Sequence, residues 1–501
     1  MTAAAPPQLA YAFAKRHGML LLDVDVDGDA PARIGLREGA SPEPLIEARR
    51  ALGRALQVQR LPRAEFDRRL SEIYAGAGLA GAAEARDLDA AASLDALADD
   101  IPAAADLLEA QDDAPVIRLI NGLIAEAARS GASDVHIEPF ERALRVRFRI
   151  DGVMREALEL PARLAPMLVS RVKVMARLDI AERRVPQDGR ISLAMGAKAL
   201  DVRVSTLPAR HGERVVMRIL DKDHGAFALD ALGMPAGVLG AFRAALAQPN
   251  GIVLVTGPTG SGKTTTLYAG LERLNDGSRN ILTVEDPVEY AVEGIGQTQV
   301  NAKVGMTFAA GLRAILRQDP DVVMVGEIRD PETAQIAVQA SLTGHLVLST
   351  VHTNDALGAI TRLRDMGVES FLLASTVRLV LAQRLLRRLC PHCRRPRAPD
   401  ALSARLMGTD YTGALFAAAG CGHCSQTGFS GRIGVYEAVT VDDRLRALVA
   451  GGADEDALAR AASLSGDWLA DSARACVTAG ATTPEEALRV VRQEARGHGD
   501  V

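Results

Sequence analysis

Residues 257–264 have the types and the spacing of a loop that binds phosphate. The order is Gly-Pro-Thr-Gly-Ser-Gly-Lys-Thr, with an apolar run before it and a helix-like stretch after it. Glycines let several backbone N–H groups point inward and form a concave anion site at the start of a helix. The lysine of such a loop reaches the β- and γ-phosphates, and the threonine hydroxyl ligates Mg²⁺. The loop therefore predicts nucleotide binding. We expect the contacts to come from Gly257, Pro258, Thr259, Gly260, Ser261, Gly262, Lys263, Thr264 and Thr265.

Acidic and histidine side chains at the ends of later apolar runs could act on the bound phosphates. Glu285 and Glu327 each follow such a run, and His345 and His352 flank another. Hydrolysis needs an acid that orients the attacking water, and Glu327 is the best candidate because Gly326 takes the place of the usual aspartate. We expect Glu285 on the metal or water side and the histidines at the γ-phosphate. The alternatives are capping or ion pairing for the acids and structural hydrogen bonds for the histidines.

Four of the five cysteines form two Cys-x-x-Cys pairs with 27 residues between them. The pairs are Cys390/Cys393 and Cys421/Cys424. Four thiolates in this arrangement suit tetrahedral Zn²⁺ with no open position, which predicts a structural metal site. His392 and His423 lie inside the pairs and could compete as ligands, but four cysteines already complete the shell. The remaining Cys476 fits a small buried apolar side chain.

Short apolar runs alternate with helix-like segments through the second half of the chain. The runs are 252–256, 281–285, 322–325 and 346–350. Strands that alternate with helices favour a parallel sheet covered on both faces, hence an α/β fold.

The middle region has a different pattern, with one helix and two hairpins. Apolar residues recur at helical spacing over 115–129, and they alternate with arginines over 144–150 before an Asp-Gly turn at 151–152. A second hairpin is expected over 200–220, with its turn at 208–212. Basic charge collects here, with eleven basic and five acidic residues over 171–220.

Length, composition and charge bound the remaining possibilities. A chain of 501 residues suggests about three domains, and 48% hydrophobic with 24% charged residues excludes global disorder. Apolar residues recur at helix-like spacing over 44–56 and 60–74. The segment 81–113 holds ten acidic residues and one basic residue, which predicts a solvated connector. Neither a membrane-spanning apolar run nor a signal peptide is evident, so we expect a cytoplasmic protein.

The motifs taken together resemble the traffic ATPases of the secretion superfamily. The resemblance rests on the phosphate loop, Glu285-Asp286-Pro287, the segment 326–330, the histidine box 343–355 and the middle-region segments 133–139 and 186–190. Segments 381–385 and 427–437 and the cysteine pairs are similar to its tetracysteine members. Residues 9–16 look most like the general secretory pathway E family of type II secretion.

The resemblance implies a fold and a division into parts. We expect a RecA-like ATPase domain with a parallel sheet, an α+β PAS-like middle domain, a small N-terminal helical or α+β domain and an inserted zinc-binding tetracysteine subdomain. The expected parts are a partner-docking domain (1–80), an acidic linker (81–113), the middle domain (114–235), the ATPase core (236–386), the zinc subdomain (387–435) and a C-terminal helical part (436–501).

The resemblance also implies how the protein works. It implies a homo-hexamer at the inner membrane that hydrolyses ATP with Mg²⁺, assembles a pilus-like fibre and exports folded proteins. An inner-membrane platform protein would bind the N-terminal domain. Two middle-domain arginines of this family reach the terminal phosphate, and by motif position they are Arg203 and Arg218. They are symmetric about the expected turn and could lie opposite each other, although pairing with Asp201 or Glu213 is the alternative.

Three other functions are compatible with part of the sequence. A type IV pilus assembly ATPase shares every catalytic motif. Some pilus-type ATPases carry paired cyclic-di-GMP-binding repeats near the N-terminus, whereas this sequence has only a single faint match to such a repeat, at 50–56. A nucleic-acid motor is disfavoured because aromatic residues make up 3% of the chain and the net charge is −5, so we expect no nucleic-acid partner. A purely structural role would require idle acids. Six arginines between 384 and 397 form either a solvated face or a docking surface for anionic lipid or an acidic partner.

Overall fold

The computed structural model describes residues 9, 14, 17–23, 31–63, 65–66, 69, 94, 114–195, 198–221, 228–462 and 468–495. The chain divides into two compact units, Met1–Asp223 and His224–Val501. This division falls twelve residues before the expected end of the middle domain at 235. The acidic segment 81–113 lies outside the described residues except for Leu94, which packs against the core of the first unit.

The N-terminal part of the first unit is a small α/β element. It contains β1 (Met19–Asp23), β2 (Ala32–Arg37), α1 (Leu45–Leu52) and β3 (Leu56–Leu61). Strand β2 pairs antiparallel with β1 and parallel with β3, because α1 carries the chain back across the sheet. The helix agrees with the spacing at 44–56. The sequence reading missed all three strands, and the helical stretch expected from residue 60 begins within β3.

The middle part of the first unit is a six-stranded antiparallel sheet with two helices on one face. Its elements are α2 (Ala114–Arg129), β4 (Ala132–Pro139), β5 (Ala143–Ile150), β6 (Val153–Pro161), α3 (Ala165–Met175), β7 (Gln187–Met195), β8 (Lys198–Ala209) and β9 (Gly212–Asp221). The strand order is β6-β5-β4-β9-β8-β7. Both expected hairpins are present, and the turn after β5 uses positive φ angles at Asp151 (48°) and Gly152 (82°).

The second unit is built on a seven-stranded sheet. In chain order its elements are α4 (Ala236–Leu246), β10 (Gly251–Thr256), α5 (Lys263–Leu274), β11 (Ile281–Glu285), β12 (Gly296–Gln299), α6 (Phe308–Ile315), β13 (Val322–Val325), α7 (Pro331–Leu342), β14 (Leu346–Val351), α8 (Ala356–Asp365), α9 (Ser370–Thr376), β15 (Val377–Leu389), β16 (Arg395–Arg397), α10 (Ala401–Met407), β17 (Leu415–Ala417), β18 (Phe429–Thr440), α11 (Asp443–Ala450), α12 (Glu455–Ala462), α13 (Leu469–Thr478) and α14 (Pro484–Ala495). The strand order is β12-β11-β13-β14-β10-β15-β18.

All neighbouring strands from β12 to β15 run parallel, and only β18 is antiparallel to its neighbour. Alternate residues of β10 enter different cores: Ile252 and Leu254 pack with helices on one face, and Val253 and Val255 with α4 and α5 on the other. The sheet is therefore covered on both faces, which confirms the α/β prediction. The four expected strands are present.

The cysteines belong to an arm inserted between two paired strands. The arm leaves the sheet at the end of β15, forms the two-stranded sheet β16-β17 with α10, and returns through β18. This topology confirms the inserted subdomain. None of the helices that the structure describes is long and apolar enough to cross a membrane.

Candidate functional site

The phosphate loop joins the end of β10 to the start of α5. Three of its residues have positive φ angles: Gly257 (145°), Gly260 (79°) and Gly262 (86°). A Cβ atom at Gly257 would lie 2.4 Å from the carbonyl oxygen of Gln383, so only glycine fits there. The backbone thus takes the curled course that directs N–H groups toward an anion.

Lys263 lies across the loop as the first residue of α5. Its Nζ donates hydrogen bonds to the carbonyl oxygens of Gly257 (2.8 Å) and Pro258 (3.0 Å). Burial lowers the pKa of Lys263 to about 8, although the carboxylate of Glu327 acts in the opposite direction. A bound phosphate group would supply a negative counter-charge for this buried ammonium group.

Two residues of β15 support the loop from behind, and the sequence reading did not assign them to the site. Gln383 Oε1 accepts a hydrogen bond from Thr266 of α5 (2.7 Å). Arg384 is buried and donates to the carbonyl oxygen of Gln383 (3.2 Å) and to that of Asn354 beyond β14. The segment 381–385 indicated these residues only through its resemblance to the family, because β15 lies far from the phosphate loop in sequence.

Glu285 ends β11 and is only 3% exposed. Its Oε1 accepts hydrogen bonds from Thr283 (2.6 Å) and from Gln297 of β12 (3.0 Å), and its Oε2 accepts one from Tyr268 of α5. The side chain is thus held by residues from two strands of the sheet, β11 and β12, and from the helix α5.

Glu327 lies directly beyond β13 and contacts two cationic or polar partners. Its carboxylate pairs with Arg329, and its Oε2 lies 3.1 Å from His352 Nε2. A Cβ atom at Gly326 would lie 3.3 Å from the carbonyl oxygen of Val284 on the neighbouring strand. This tight approach gives a physical reason for glycine at the position where an aspartate is usual.

The parallel sheet brings three of the six expected catalytic residues, and the phosphate loop, to one edge. Strands β11, β13, β14 and β10 are consecutive neighbours, and their carboxyl ends carry Glu285, Glu327, His352 and the phosphate loop. Carboxyl ends of parallel strands are where α/β proteins bind ligands.

His345 does not join this edge, which departs from the prediction. It precedes β14, so the six residues of that strand, about 20 Å, separate it from His352. Its Nδ1 lies 2.8 Å from the carbonyl oxygen of Ala340, at the end of α7. The geometry gives His345 a structural hydrogen bond, and the sequence reading placed it at the phosphate because it ignored which end of the strand each histidine occupies.

Arg203 and Arg218 are direct partners across β8 and β9, as the symmetry of the turn predicts. The row continues to Arg190 on β7 and, on the other side, to Asp134 on β4. Arg218 donates to Asp134 (2.9 Å) rather than to Asp201 or Glu213, the alternative partners, and Glu213 pairs with buried Lys173. Cross-strand neighbours share one face of the sheet, so three guanidinium groups follow one another along it.

The four paired cysteines converge on one point of the arm. Their sulfur atoms all lie within 4.8 Å of one another, and the Cys390–Cys421, Cys393–Cys424 and Cys421–Cys424 separations are 3.9, 3.8 and 3.7 Å. A tetrahedral zinc ion with Zn–S bonds of ~2.3 Å places its sulfur ligands ~3.8 Å apart. The cluster therefore has the dimensions of a structural metal site.

The surroundings of the cluster also suit a metal. Burial acts to raise the pKa of Cys424, but N–H donation from Cys421 and Gly428 outweighs it and lowers the pKa to about 6, whereas burial and hydrogen bonds with the neighbouring thiols raise the pKa of Cys393 to about 12. A thiolate is the form that binds metal. His392 and His423 stack on each other, with ring centroids 4.2 Å apart, and the metal-binding group found among the described residues contains cysteines alone.

The arginine run 384–397 does not form one continuous basic face. Arg384 is buried beside the phosphate loop, Arg387 pairs with Glu486, Arg397 pairs with Glu485, and Arg394 lies over the ring of Phe416. Arg388 and Arg395 are exposed. The glutamates that pair with Arg387 and Arg397 come from α14, about ninety residues later, and Asp400, three residues after Arg397, lies 3.7 Å from the Arg397 guanidinium group.

Comparison with known proteins shows the family of the chain. The family model "Type II/IV secretion system protein" matches residues 109–489, and a model of the N-terminal domain of "GSPII protein E" matches residues 8–74. Type II secretion system protein E of Pseudomonas aeruginosa is 55% identical, over 98% of each chain. Type II secretion system ATPase E of Vibrio cholerae is 52% identical, over 97% of each chain.

Solved structures give the same fold. The pilus retraction motor PilT with bound ADP is 27% identical with a TM-score of 0.50, over 74% of this chain and 96% of its own. The Legionella pneumophila ATPase DotB is 20% identical with a TM-score of 0.57, over 75% of this chain and 96% of its own, which supports the fold alone.

Proposed function

The chain belongs to the type II/IV secretion system protein family, and from this premise we propose that it is the ATP-hydrolysing motor of a type II secretion system. The observation that carries the proposal is the meeting of the phosphate loop, Glu285, Glu327 and His352 at one edge of the parallel sheet. The match of residues 8–74 to the N-terminal domain of GSPII protein E favours secretion over pilus assembly.

The residues at this edge of the sheet have separate roles in ATP hydrolysis. The loop amides and Lys263 bind the β- and γ-phosphates, and the Thr264 hydroxyl would hold Mg²⁺, which neutralises charge on the phosphate oxygens when bound. Glu327 orients the attacking water, and His352 and Arg329 hold its carboxylate in place. Glu285 acts on the metal or water side.

The arginine row of the middle domain completes the site within a hexamer. We assign Arg203 and Arg218 to the terminal phosphate of a bound ATP. Two adjacent guanidinium groups repel each other, and an anion between them relieves that repulsion. Arg218 is 57% exposed although it pairs with Asp134, so its guanidinium group can reach a ligand beyond the sheet.

The other parts serve assembly at the membrane. We propose that residues 1–80, joined to the rest of the chain by the acidic linker 81–113, dock on an inner-membrane platform protein. A cytoplasmic homo-hexamer would then act at that membrane and drive pseudopilus assembly. The part that hydrolyses ATP would consist of the middle domain (114–235), the motor core (236–386) and the C-terminal helices (436–501). The arm 387–435 holds a structural Zn²⁺, and its exposed Arg388 and Arg395 contact anionic lipid.

A paired measurement of hydrolysis and export tests the proposal. In a strain without its own secretion ATPase, the wild-type chain should restore export of folded protein into the medium. Lys263→Ala should abolish both export and phosphate release by the purified chain. Lys303→Ala, which alters an exposed lysine of the same unit, is the control and should leave both at the wild-type level. Normal phosphate release by Lys263→Ala would contradict the proposed site.

The arginine assignment has its own test. Arg218→Ala should lower kcat by about 10- to 1,000-fold, because it removes a charge aimed at the transferred phosphoryl group. Arg145→Ala removes an exposed arginine from the same sheet, where it pairs with Glu159, and should have little effect. Equal effects of the two substitutions would refute the assignment.

A further inference from the structure

The carboxylate of Glu285 is enclosed by donors from three directions. Thr283 donates from its own strand, Gln297 from the edge strand β12, and Tyr268 from α5, the helix that begins at the phosphate loop. An ionised carboxylate has room for about four hydrogen bonds, two on each oxygen. Oε1 has two donors and Oε2 has one, so a single acceptor position on Oε2 is left beside Tyr268.

Tyr268 is fixed both in position and in the direction of its proton. It is only 2% exposed, and the ring of Tyr290 packs edge-on against it with centroids 4.5 Å apart. Its hydroxyl oxygen accepts from Gln297 Nε2 (3.3 Å), so its own proton is directed to Glu285. Burial and the negative charge of Glu285 raise the pKa of Tyr268, which therefore remains a donor at neutral pH.

The helix connects this tyrosine to the nucleotide. Tyr268 lies four residues after Thr264, so the two side chains share one face of α5. A movement of the loop and the start of the helix would consequently move the hydroxyl that orients Glu285.

We propose that Tyr268 is a positioning residue for ATP hydrolysis. It fixes the Glu285 carboxylate so that the remaining acceptor position of Oε2 faces the metal or water side, and it ties this orientation to the phosphate-loop helix. The inference rests on the proposed role of Glu285.

Tyr268→Phe in the full-length chain tests the proposal, because it keeps the ring and removes only the hydroxyl. We expect kcat to fall about 10- to 100-fold, which corresponds to the loss of one hydrogen bond to a charged group, while the Kd for ATP stays within about twofold. Tyr290→Phe is the matched control, since its ring packs on Tyr268 but its hydroxyl is not bonded to Glu285; it should keep wild-type kcat. Unchanged kcat in Tyr268→Phe would overturn the proposal.

A double-mutant cycle separates positioning from a general structural role. If Tyr268 acts through Glu285, Tyr268→Phe should cause no further loss of kcat in a Glu285→Gln background; fully additive losses would contradict this. Wild-type turnover of Glu285→Gln alone would remove the proposed role of Glu285 instead. Gln297→Leu removes the amide that directs the tyrosine proton and should also lower kcat selectively. Unchanged turnover of that variant would count against the mechanism even if Tyr268→Phe were unstable.

Discussion

Glu486 provides a quantitative test of how α14 is attached to β15 of the sheet. It lies in the first turn of α14, and its side chain is 1% exposed. The carboxylate accepts hydrogen bonds from the Arg387 backbone N–H (3.1 Å), the Arg387 guanidinium group (2.8 Å) and that of Arg489 (2.7 Å). Burial acts to raise the pKa of Glu486, but these donors outweigh it and lower the pKa to about 2.

The shift can be converted into an expected stability. A fall from 4.5 to about 2 corresponds to about 3 kcal/mol of stabilisation, at 1.36 kcal/mol per pH unit. Because the folded-state pKa lies below the unfolded-state pKa, this stabilisation is fully present above about pH 4.5 and is lost as the pH falls toward 2. Loss of one partner from a buried ion pair costs a similar amount, about 3–5 kcal/mol.

Urea unfolding followed by the fluorescence of Trp468 measures the effect. This residue is the single tryptophan of the chain and packs against the larger core of the second unit. Glu486→Gln should lower the free energy of unfolding by about 3 kcal/mol at pH 7, and the difference from wild type should shrink between pH 5 and pH 3. The control Glu485→Gln, at a carboxylate 43% exposed, should cost less than about 1 kcal/mol. Equal losses in the two variants, or a pH-independent loss, would refute the reasoning.

The two histidines, the cysteine cluster and the N-terminal domain can each be tested separately. His352→Ala should reduce phosphate release by at least about tenfold because it removes a partner of the catalytic acid, whereas His345→Ala should alter mainly stability; the reverse order in a turnover assay would contradict the geometry. Metal analysis should find one zinc per wild-type chain and per Cys476→Ser chain but a strong loss in Cys424→Ser, and retained zinc in the last variant would exclude the four-sulfur site. The full chain should recover an inner-membrane protein from cell extract and a chain without residues 1–80 should not; equal recovery would place docking elsewhere.

Local patterns predicted the elements that carry most of the site. The strand before Glu327 follows from a short apolar run, and the pairing of Arg203 with Arg218 follows from a hairpin whose turn fixes the register. The cysteine spacing likewise predicted the cluster, because each pair needs only a local turn to converge.

The remaining features depend on contacts between distant segments. The ion pair of Arg387 with Glu486 joins residues about a hundred positions apart, so the arginine run looked uniformly basic in sequence. Gln383 reaches the phosphate loop only because β15 pairs with β10. The three N-terminal strands were not predicted, because a short amphipathic segment fits both the helical and the strand spacing of apolar residues. Pairing with other strands decides which structure forms.

Glu327→Gln tests the central claim, that this edge of the sheet hydrolyses ATP. The substitution keeps the size of the side chain but removes the carboxylate beside His352 and Arg329. Measured together on the purified chain, ATP binding should remain near the wild-type level while phosphate release falls by at least about 100-fold. Wild-type phosphate release by Glu327→Gln would contradict the account.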